Sequence, residues 1–265
     1  MASLEHIDGG KNFDFGKTSD DYAKYRDIYP EEFYRKIIDL GLCTKGQRVL
    51  DLGTGTGVLP RNMYKYGAVF TGADISENQI KEARRLSAEN NMNIEYIVSP
   101  AEKIDYPDST FDTVTACQCF AYFNAEKVLP EIHRMLKPGG HLCIMFMDYL
   151  PYESKIAAMS EQLILKYNPD WTGGGYKAKR KRQPAVPEYC EGLYETENAF
   201  GYDISVKFTR ESWNGRMKTC RGIGASELSP DKIAMWEKEH MEYLNTVPEC
   251  FEIPHWVNLL NLRKI

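Results

Sequence analysis

Features that would direct a chain to membranes, to export or to nucleic acid are scarce in this sequence. No apolar run approaches the roughly 18 residues that a membrane-spanning helix needs, and the opening MASLEHIDGG does not resemble a signal peptide. The net charge is −5, whereas a general nucleic-acid binder is basic over its domain. We therefore expect a cytoplasmic protein whose main partner is neither a membrane nor a nucleic acid.

Metal-binding patterns are scarce as well. The seven cysteines form no Cys-x-x-Cys pair, and no His-x-x-x-His spacing accompanies them. Cys117, Cys119 and Cys143 fall in predicted strands, where a reduced thiol packs as a small hydrophobe. The sequence therefore predicts no metal site and no disulfide framework.

What the sequence does contain is a glycine-rich turn within VLDLGTGTGV, residues 49–58. An apolar run closes on Asp51, glycines follow at positions 53, 55 and 57, and the amphipathic LPRNMYKY begins directly afterwards. Glycine permits positive φ and lacks the Cβ atom that would keep a ligand away from the backbone. The stretch predicts a buried strand, a tight turn and a helix, with a small molecule lying against the main chain.

Two phosphate-binding patterns fit this turn poorly. The dinucleotide fingerprint needs glycine at the sixth position counted from Gly53, and that position is Val58. The phosphate-binding loop needs a Gly-Lys-Ser/Thr ending, and no lysine lies between Gly53 and Tyr64. An acidic strand end followed by Gly-Thr-Gly-Thr-Gly instead resembles motif I of the class I S-adenosylmethionine-dependent methyltransferases.

Strand and helix patterns alternate after the turn. AVFTGAD (68–74), IEYIVS (94–99), FDTVTACQ (111–118) and HLCIMFM (141–147) have the character of strands. Ser76 with Gln79 predicts a capping box for the first intervening helix. Such alternation implies a parallel sheet with helices on both faces. YDISVKFT (202–209) and HWVNLLNLRKI (255–265) resemble the closing antiparallel strands of the methyltransferase sheet.

The sequence thus predicts an α/β fold, with a Rossmann-like, seven-stranded, mostly parallel sheet, helices on both faces and a helical cap inserted near the C-terminus. We expect a single domain over residues 1–265. Within it, residues 1–45 form an N-terminal lid and first helix, 46–150 the cofactor-binding core, and 151–265 the cap insertions and closing strands.

Asp74 ends the second predicted strand, 17 residues beyond Gly57. Ligands of such sheets lie at the carboxyl ends of strands, where a carboxylate can accept hydrogen bonds from both ribose hydroxyls of a nucleoside. Downstream, PAEKIDYPDSTFD (100–112) is similar to the family's adenine-side loop and LKPGGHL (136–142) to its turn before the fifth strand. The resemblance covers most of residues 47–147 and implies S-adenosyl-L-methionine as the cofactor.

The resemblance also implies individual site residues, with some departures. Many relatives have aspartate where this chain has Pro100, and in QCFAYFN the histidine and tryptophan of trans-aconitate-type enzymes are replaced by Ala121 and Tyr122. The implied cofactor contacts are Asp51, Gly53, Thr54, Gly55, Gly57, Asp74, Ile75, Ala101, Glu102 and Gln118.

An aromatic and polar segment precedes the helix predicted to begin near Pro30. Its Y-x-x-Y-R stretch, from Tyr22 to Arg26, is similar to the segment that covers the cofactor in trans-aconitate methyltransferase-like enzymes. The resemblance implies a lid in which Tyr25 and Arg26 contact the cofactor and Tyr22 the acceptor. The alternative is a surface segment that ties the N-terminus down.

Trp213, Arg216 and Arg221 lie between the two closing strands, where a methyl acceptor should enter. Trp213 and Arg216 can share a helix face, and an arginine offers a planar fork that matches a carboxylate. We predict that these three residues, with Tyr22 and Tyr122, orient an acidic or polar small molecule. The alternative is that the arginines are solvated or paired with neighbours such as Glu211.

The expected function is methyl transfer to a small-molecule acceptor. Displacement from a sulfonium depends mainly on alignment, and a general base is needed only if the acceptor must lose a proton. We therefore assign no catalytic residue, and the acceptor atom and the choice between monomer and homodimer stay open. One alternative is an RNA methyltransferase that uses the basic loop 177–182, although that loop also fits a solvated segment. The other is a non-catalytic cofactor-binding protein.

Overall fold

A seven-stranded sheet in the order β3-β2-β1-β4-β5-β7-β6 forms the centre of the computed structural model, which describes residues 7–174 and 181–265. The strands are β1 Arg48–Leu52, β2 Val69–Asp74, β3 Glu95–Val98, β4 Phe111–Cys117, β5 Leu136–Tyr149, β6 Tyr194–Thr209 and β7 Cys250–Lys264. Strands β1 to β5 pair in parallel, and β7 runs antiparallel to both β5 and β6. The predicted mostly parallel α/β sheet is confirmed.

Helices cover both faces of this sheet. They are α1 Ser19–Tyr25, α2 Glu31–Asp39, α3 Val58–Met63, α4 Glu77–Glu89, α5 Ala125–Met135, α6 Lys155–Tyr167, α7 Arg210–Lys218 and α8 Pro230–Leu244. Val49 and Leu50 of β1 are both buried, but they belong to two different cores because neighbouring strand residues point to opposite faces. Phe33 of α2 packs in the first core and Ile132 of α5 in the second.

The closing strands are longer than the patterns predicted. β6 begins at Tyr194 rather than at Tyr202, and β7 begins at Cys250 rather than at His255. Residues 195–199 are polar except for Ala199 and are mostly exposed, so they show no alternation of buried and exposed residues that would predict a strand. They are extended because β7 provides a hydrogen-bonding partner along the whole segment, with a register shift between Thr196 and Asn198.

The capping box predicted at α4 is only half formed. The Ser76 hydroxyl accepts a hydrogen bond from the Gln79 backbone N–H at 3.4 Å, as expected for an N-cap. The Gln79 side-chain amide, however, donates to the carbonyl oxygen of Phe15 at 2.9 Å. The side chain that should have closed the box instead holds the N-terminal segment at the carboxyl edge of the sheet.

Helices α6, α7 and α8 form a cap over that edge, as predicted. Their shared core buries Trp213, Trp236 and His240. The Ser160 hydroxyl accepts a hydrogen bond from Trp213 Nε1 and is bonded to His240 Nε2, both at 2.9 Å. Burial lowers the pKa of His240 to about 3, so this imidazole is neutral at physiological pH.

Within the described ranges, no helix has both the length and the apolar character needed to cross a membrane. The same residues contain no group of three or more His, Cys, Asp or Glu side chains that could hold a metal ion. All seven cysteines are thiols, and only Cys250 is exposed.

Candidate functional site

A cleft of about 450 Å³ lies beyond the carboxyl ends of β1, β2 and β4. The sheet edge forms its floor, the N-terminal segment and α7 form its walls, and both predicted cofactor residues and predicted acceptor residues line it. This is the position at which ligands bind in open α/β sheets.

The floor of the cleft is the glycine-rich turn after β1. Gly53, Gly55 and Gly57 all have positive φ, at 59°, 55° and 74°. A Cβ atom on Gly53 would lie 2.7 Å from the Cβ atom of Cys119, so only glycine fits there. Gly53, Thr54 and Gly55, which were predicted to bind the cofactor, line the cleft. Gly57 does not, because it lies beneath the phenol of Tyr96; its contribution is to the shape of the turn.

Asp51 lies at the bottom of the cleft, at the end of β1. Its side chain is 2% exposed, and its Oδ1 accepts a hydrogen bond from the Thr115 hydroxyl at 2.6 Å. Burial raises the pKa of Asp51 to about 7. The hydrogen bond from Thr115 favours the ionised carboxylate and so lowers the pKa, but burial has the larger effect. This carboxyl group therefore titrates in the physiological range.

Asp74 ends β2 and is fixed by backbone donors. Its Oδ2 accepts from the Gly55 N–H and its Oδ1 from the Ser76 N–H, both at 2.9 Å. Burial raises its pKa, and the hydrogen bonds from Ser76 and Gly55 oppose that shift. Each carboxylate oxygen keeps a lone pair for a ligand hydroxyl, because an ionised carboxylate can accept about four hydrogen bonds.

Ser99, Pro100, Ala101 and Glu102 line one end of the cleft, next to Ile75. Glu102 Oε1 accepts a hydrogen bond from the backbone N–H of Asn124 at 2.9 Å, which fixes the carboxylate against the loop after β4. The Ile75 side chain is 66% exposed, so this end of the cleft opens to solvent. The predicted contacts Ala101, Glu102 and Ile75 thus lie together.

Gln118 follows β4 with a φ of 64°, an uncommon conformation for a residue that is not glycine. Its side-chain amide donates to the carbonyl oxygen of Met147 on the neighbouring β5. This contact holds Gln118 in the cleft wall between the sheet edge and the cap.

An aromatic lid covers the cleft, and two of its four rings, those of Phe13 and Phe15, were not predicted as site residues. The ring of Phe13 lies 5.4 Å from that of Tyr122, and the ring of Phe15 lies 6.0 Å from that of Tyr22. The Asp14 backbone N–H donates to the carbonyl oxygen of Ala225 at 2.8 Å, which ties the lid to the cap. The pair of phenylalanines in FDFG is the signal that could have identified these residues.

Tyr25 and Arg26, which were predicted as a pair, have different surroundings. Arg26 lines the cleft and stacks on the ring of Tyr22, with 5.0 Å between its guanidinium carbon and the ring centroid. Tyr25 instead packs against Gly215 of α7 and donates its hydroxyl to Glu211 at 2.8 Å. The expectation that Tyr25 contacts the cofactor is therefore not met by this geometry.

The three residues of the cap that were predicted to bind the acceptor also differ in location and partners. Trp213 is fully buried in the cap core and does not line the cleft, because its indole N–H is directed to Ser160. Arg216 lines the cleft at 7% exposure. Arg221 also lines it, but its guanidinium forms an ion pair with Asp8 of the N-terminal segment. Glu211, considered above as a partner of these arginines, pairs with Lys24 at 2.8 Å.

Further residues that line the cleft include Tyr29, Cys117, Asp148, Tyr149 and Cys220. Cys117 and Tyr149 end β4 and β5, so the rule that ligands lie at strand ends could have found them. No comparable signal marks Tyr29 or Cys220, which come from the loop before α2 and the turn after α7.

The basic loop falls only partly within the structure. Lys177, Lys179 and Arg180 lie outside the described residues. Lys181 forms ion pairs with Glu153 at 2.8 Å and with Asp203 at 2.5 Å. The carbonyl oxygen of Arg182 accepts a hydrogen bond from Trp256 Nε1 at 2.9 Å.

Comparison with known proteins gives a consistent picture of the sheet and its edge. Residues 50–144 match the family model described as a methyltransferase domain, Methyltransf_11. The chain is 40% identical over 118 residues to the ubiquinone/menaquinone biosynthesis C-methyltransferase UbiE of Hydrogenovibrio crunogenus, a match that covers 42% of this chain and 46% of that protein. It is 35% identical over 114 residues to the demethylmenaquinone methyltransferase of Thermus thermophilus, which covers 42% of this chain and 52% of that protein.

The chain therefore spans about half the length of these curated relatives. Among solved structures, the YcgJ protein of Bacillus subtilis has a TM-score of 0.54 at 19% identity. That likeness covers 89% of this chain and 99% of the other, and it shows a shared fold.

Proposed function

Residues 50–144 of this chain belong to the class I S-adenosylmethionine-dependent methyltransferases, and from this premise we propose that the protein transfers a methyl group from S-adenosylmethionine to a small molecule. The observation that carries the proposal is the pairing of the glycine-rich turn with Asp74. The turn leaves the backbone accessible where a Cβ atom would obstruct it, and Asp74 is held beside it as a hydrogen-bond acceptor.

The residues of the cleft fit this cofactor. Asp74 would accept hydrogen bonds from the ribose hydroxyls, Gly53 and Gly55 would let the nucleoside lie on the main chain, and Ala101 with Glu102 would contact the adenine. Asp51 at the end of β1 and Gln118 just after β4 would contact the methionine portion. These roles follow the resemblance of the motifs and the shared position at the strand ends.

S-adenosylmethionine supplies a methyl group on a sulfonium sulfur that is already a good leaving group. The protein's part is to bind, to align the acceptor with the methyl carbon at roughly 3 Å, and to exclude water. Phe13, Phe15, Tyr22 and Tyr122 enclose the cleft, so they would exclude water and present aromatic faces to a cation.

A small-molecule acceptor is also supported by the relatives. One is named for ubiquinone/menaquinone biosynthesis and the other as a demethylmenaquinone methyltransferase. A cleft of about 450 Å³ is in the size range of small-molecule sites. The acceptor atom is left open, because an ionised oxygen, sulfur or carbon nucleophile could react without a general base.

Two measurements test the proposal. Calorimetry should show binding of S-adenosylmethionine with clear preference over NAD. Cofactor labelled on the methyl group should then transfer label to a metabolite extract and not to total RNA. Tighter binding of NAD would refute the cofactor assignment. Binding without transfer to either pool would favour a non-catalytic protein, and label in RNA would favour an RNA methyltransferase.

A further inference from the structure

We infer that the methyl acceptor is an anion, a small carboxylic acid whose carboxylate binds between Arg26 and Arg216 on the cap side of the cleft. This inference rests on the proposed function and narrows its acceptor. It arises from two arginines that face the cleft without an acidic partner.

Arg216 is the more informative of the two. It extends from α7 into the wall of the cleft at 7% exposure, and its guanidinium carbon lies 4.7 Å from the ring centroid of Tyr149 and 5.8 Å from that of Trp213. Its Nε is buried without a hydrogen-bond partner, and among the described residues it makes no ion pair. Burying an unpaired charge is costly, so its presence here indicates that an anion neutralises it in the working complex.

Arg26 is attached to the same turn of the cap. Its Nε donates to the Thr219 hydroxyl at 2.8 Å, and that hydroxyl donates to the carbonyl oxygen of Arg216 at 2.9 Å. Neither Nη group of Arg26 is part of an ion pair within residues 7–174 and 181–265. Burial, and then the charge of Arg26, lower the pKa of Arg216 to about 10, so the Arg216 side chain is still cationic at neutral pH.

Several other charged side chains that line the cleft have partners of their own. Arg221 is neutralised by Asp8, whose Oδ1 also accepts from the Thr172 backbone N–H at 2.6 Å. Asp51 and Asp74, on the sheet side of the cleft, accept hydrogen bonds from Thr115 and from backbone N–H groups. Of the three arginines that line the cleft, Arg26 and Arg216 therefore make no ion pair among the described residues.

The surroundings of the two arginines favour a flat carboxylic acid. A guanidinium is planar and binds a carboxylate through two parallel hydrogen bonds. Tyr22, Tyr29 and Tyr149 line the same part of the cleft, and their faces suit an unsaturated or aromatic body. The acid would thus be held by its charged group at the cap while its remaining surface contacts aromatic rings.

The first experiment separates this inference from the proposed function. A metabolite extract is divided by anion exchange at pH 7 into a retained acidic fraction and an unretained fraction, and each is incubated with methyl-labelled S-adenosylmethionine and the protein. We expect label in the acidic fraction. Label confined to the unretained fraction overturns the inference and leaves the proposed function standing, whereas no label in either fraction contradicts the proposed function itself.

The second experiment uses the acid identified in this way. Arg216→Gln and Arg26→Gln should each lower kcat/KM at least tenfold, and Arg216→Lys should lie between them and the parent, because lysine keeps the charge without the planar fork. Affinity for S-adenosylhomocysteine, measured by calorimetry, should stay within twofold of the parent protein's. That result would show that the variants are folded and that their cofactor site is intact. The matched control is Arg35→Gln on α2, an exposed arginine paired with Glu31 at 3.6 Å. Unchanged kinetics in both cleft variants overturn the inference.

A third measurement needs no substrate. If Arg216 has no counter-ion until the acceptor binds, Arg216→Met should raise the melting temperature of the ligand-free protein. The substitution removes a buried unpaired charge from an aromatic environment. A lower melting temperature would show that Arg216 stabilises the cap by its contacts with Tyr149 and Trp213 and would overturn the inference.

Discussion

The sheet edge and the cap form the two halves of one cleft by different physical means. On the sheet side, the ligand surface is largely backbone, shaped by positive φ at Gly53 and Gly55 and by a carboxylate held on two N–H groups. On the cap side, it consists of side chains that arrive from separate segments, Arg26 before α2, Tyr149 from β5 and Arg216 from α7. A surface made of backbone follows from one contiguous motif, whereas a surface made of side chains requires the whole fold.

The segment that matches the family model includes residues of the sheet side of the cleft and excludes the arginines of the cap side. The matched segment, residues 50–144, contains the glycine-rich turn, Asp74 and Glu102, but neither Arg26 nor Arg216. A shared cofactor half with a separate acceptor half is the arrangement expected when one fold serves many acceptors. The predictions below test how independent the two halves are.

The largest effect is expected from Gly57→Ala in the turn. Gly57 has a φ of 74°, and the new Cβ would collide with the Tyr96 hydroxyl. The left-handed conformation and the overpacking together should lower the free energy of unfolding by about 2–5 kcal/mol. Gly139→Ala is the control, since its φ is 71° but nothing lies within 4 Å, so only about 1–2 kcal/mol should be lost.

Urea unfolding measures both variants. Equal losses for Gly57→Ala and Gly139→Ala would mean that contact with Tyr96 does not constrain the turn.

A second prediction concerns Asp74→Ala. Losing two hydroxyl-to-carboxylate hydrogen bonds at about 1–1.5 kcal/mol each should weaken S-adenosylmethionine binding by roughly one to two decades. Acceptor KM should change little if the two halves of the cleft are independent. Asp112→Ala is the control; that carboxylate accepts from the Arg48 N–H at 2.8 Å, at the other end of the sheet. Calorimetry giving the same affinity for both variants and the parent would remove the ribose role.

A third prediction compares how Asp51 on the sheet side and His240 in the cap change the free energy of unfolding with pH. Folded Asp51 has a pKa raised to about 7, so from pH 4 to 7 the folded state binds more protons than the unfolded state and stability falls as pH rises. His240 has a pKa lowered to about 3, so between pH 3 and 6.5 the unfolded state binds more protons and stability rises with pH. Each slope is limited to about 1.4 kcal/mol per pH unit, and between pH 4 and 6.5 they oppose each other.

Single variants should reveal each slope. Relative to the parent, Asp51→Asn should gain stability more steeply as pH rises from 4.5 to 6.5, and His240→Gln should lose it over the same range. Urea midpoints at three pH values measure this. Parallel pH profiles for all three proteins would show that neither group titrates as its burial requires.

The smallest effect is expected at the basic loop, outside both halves. Replacing Lys179 to Arg182 by serine and glycine should leave the melting temperature and cofactor affinity unchanged within error, since the described pairs of Lys181 with Glu153 and Asp203 are solvent-exposed. Filter binding to RNA provides the opposing outcome. Nanomolar affinity that falls steeply with salt and is lost in this variant would make RNA the acceptor.

The N-terminal lid shows that a local sequence pattern can identify a segment near the cleft without identifying which of its side chains face the cleft. The Y-x-x-Y-R stretch pointed to the segment before α2, and in the structure Tyr22 and Arg26 line the cleft. Tyr25 does not, because a seven-residue helix turns its side chain toward Glu211 and Gly215 of α7. Which side of a short helix faces a ligand depends on the partner packed against it, and that partner lies almost 190 residues away in sequence.

For this protein, the sequence by itself determined the alternation of strands and helices, the glycine-rich turn and the carboxylate of Asp74, because periodicity, turn conformation and strand ends are local properties. Only the tertiary structure decided that Trp213 belongs to the cap core, that Arg221 is neutralised by Asp8, and that Arg26 joins Arg216 at the cleft. Burial and charge pairing depend on which distant segments meet, and no spacing within one helix carries that information.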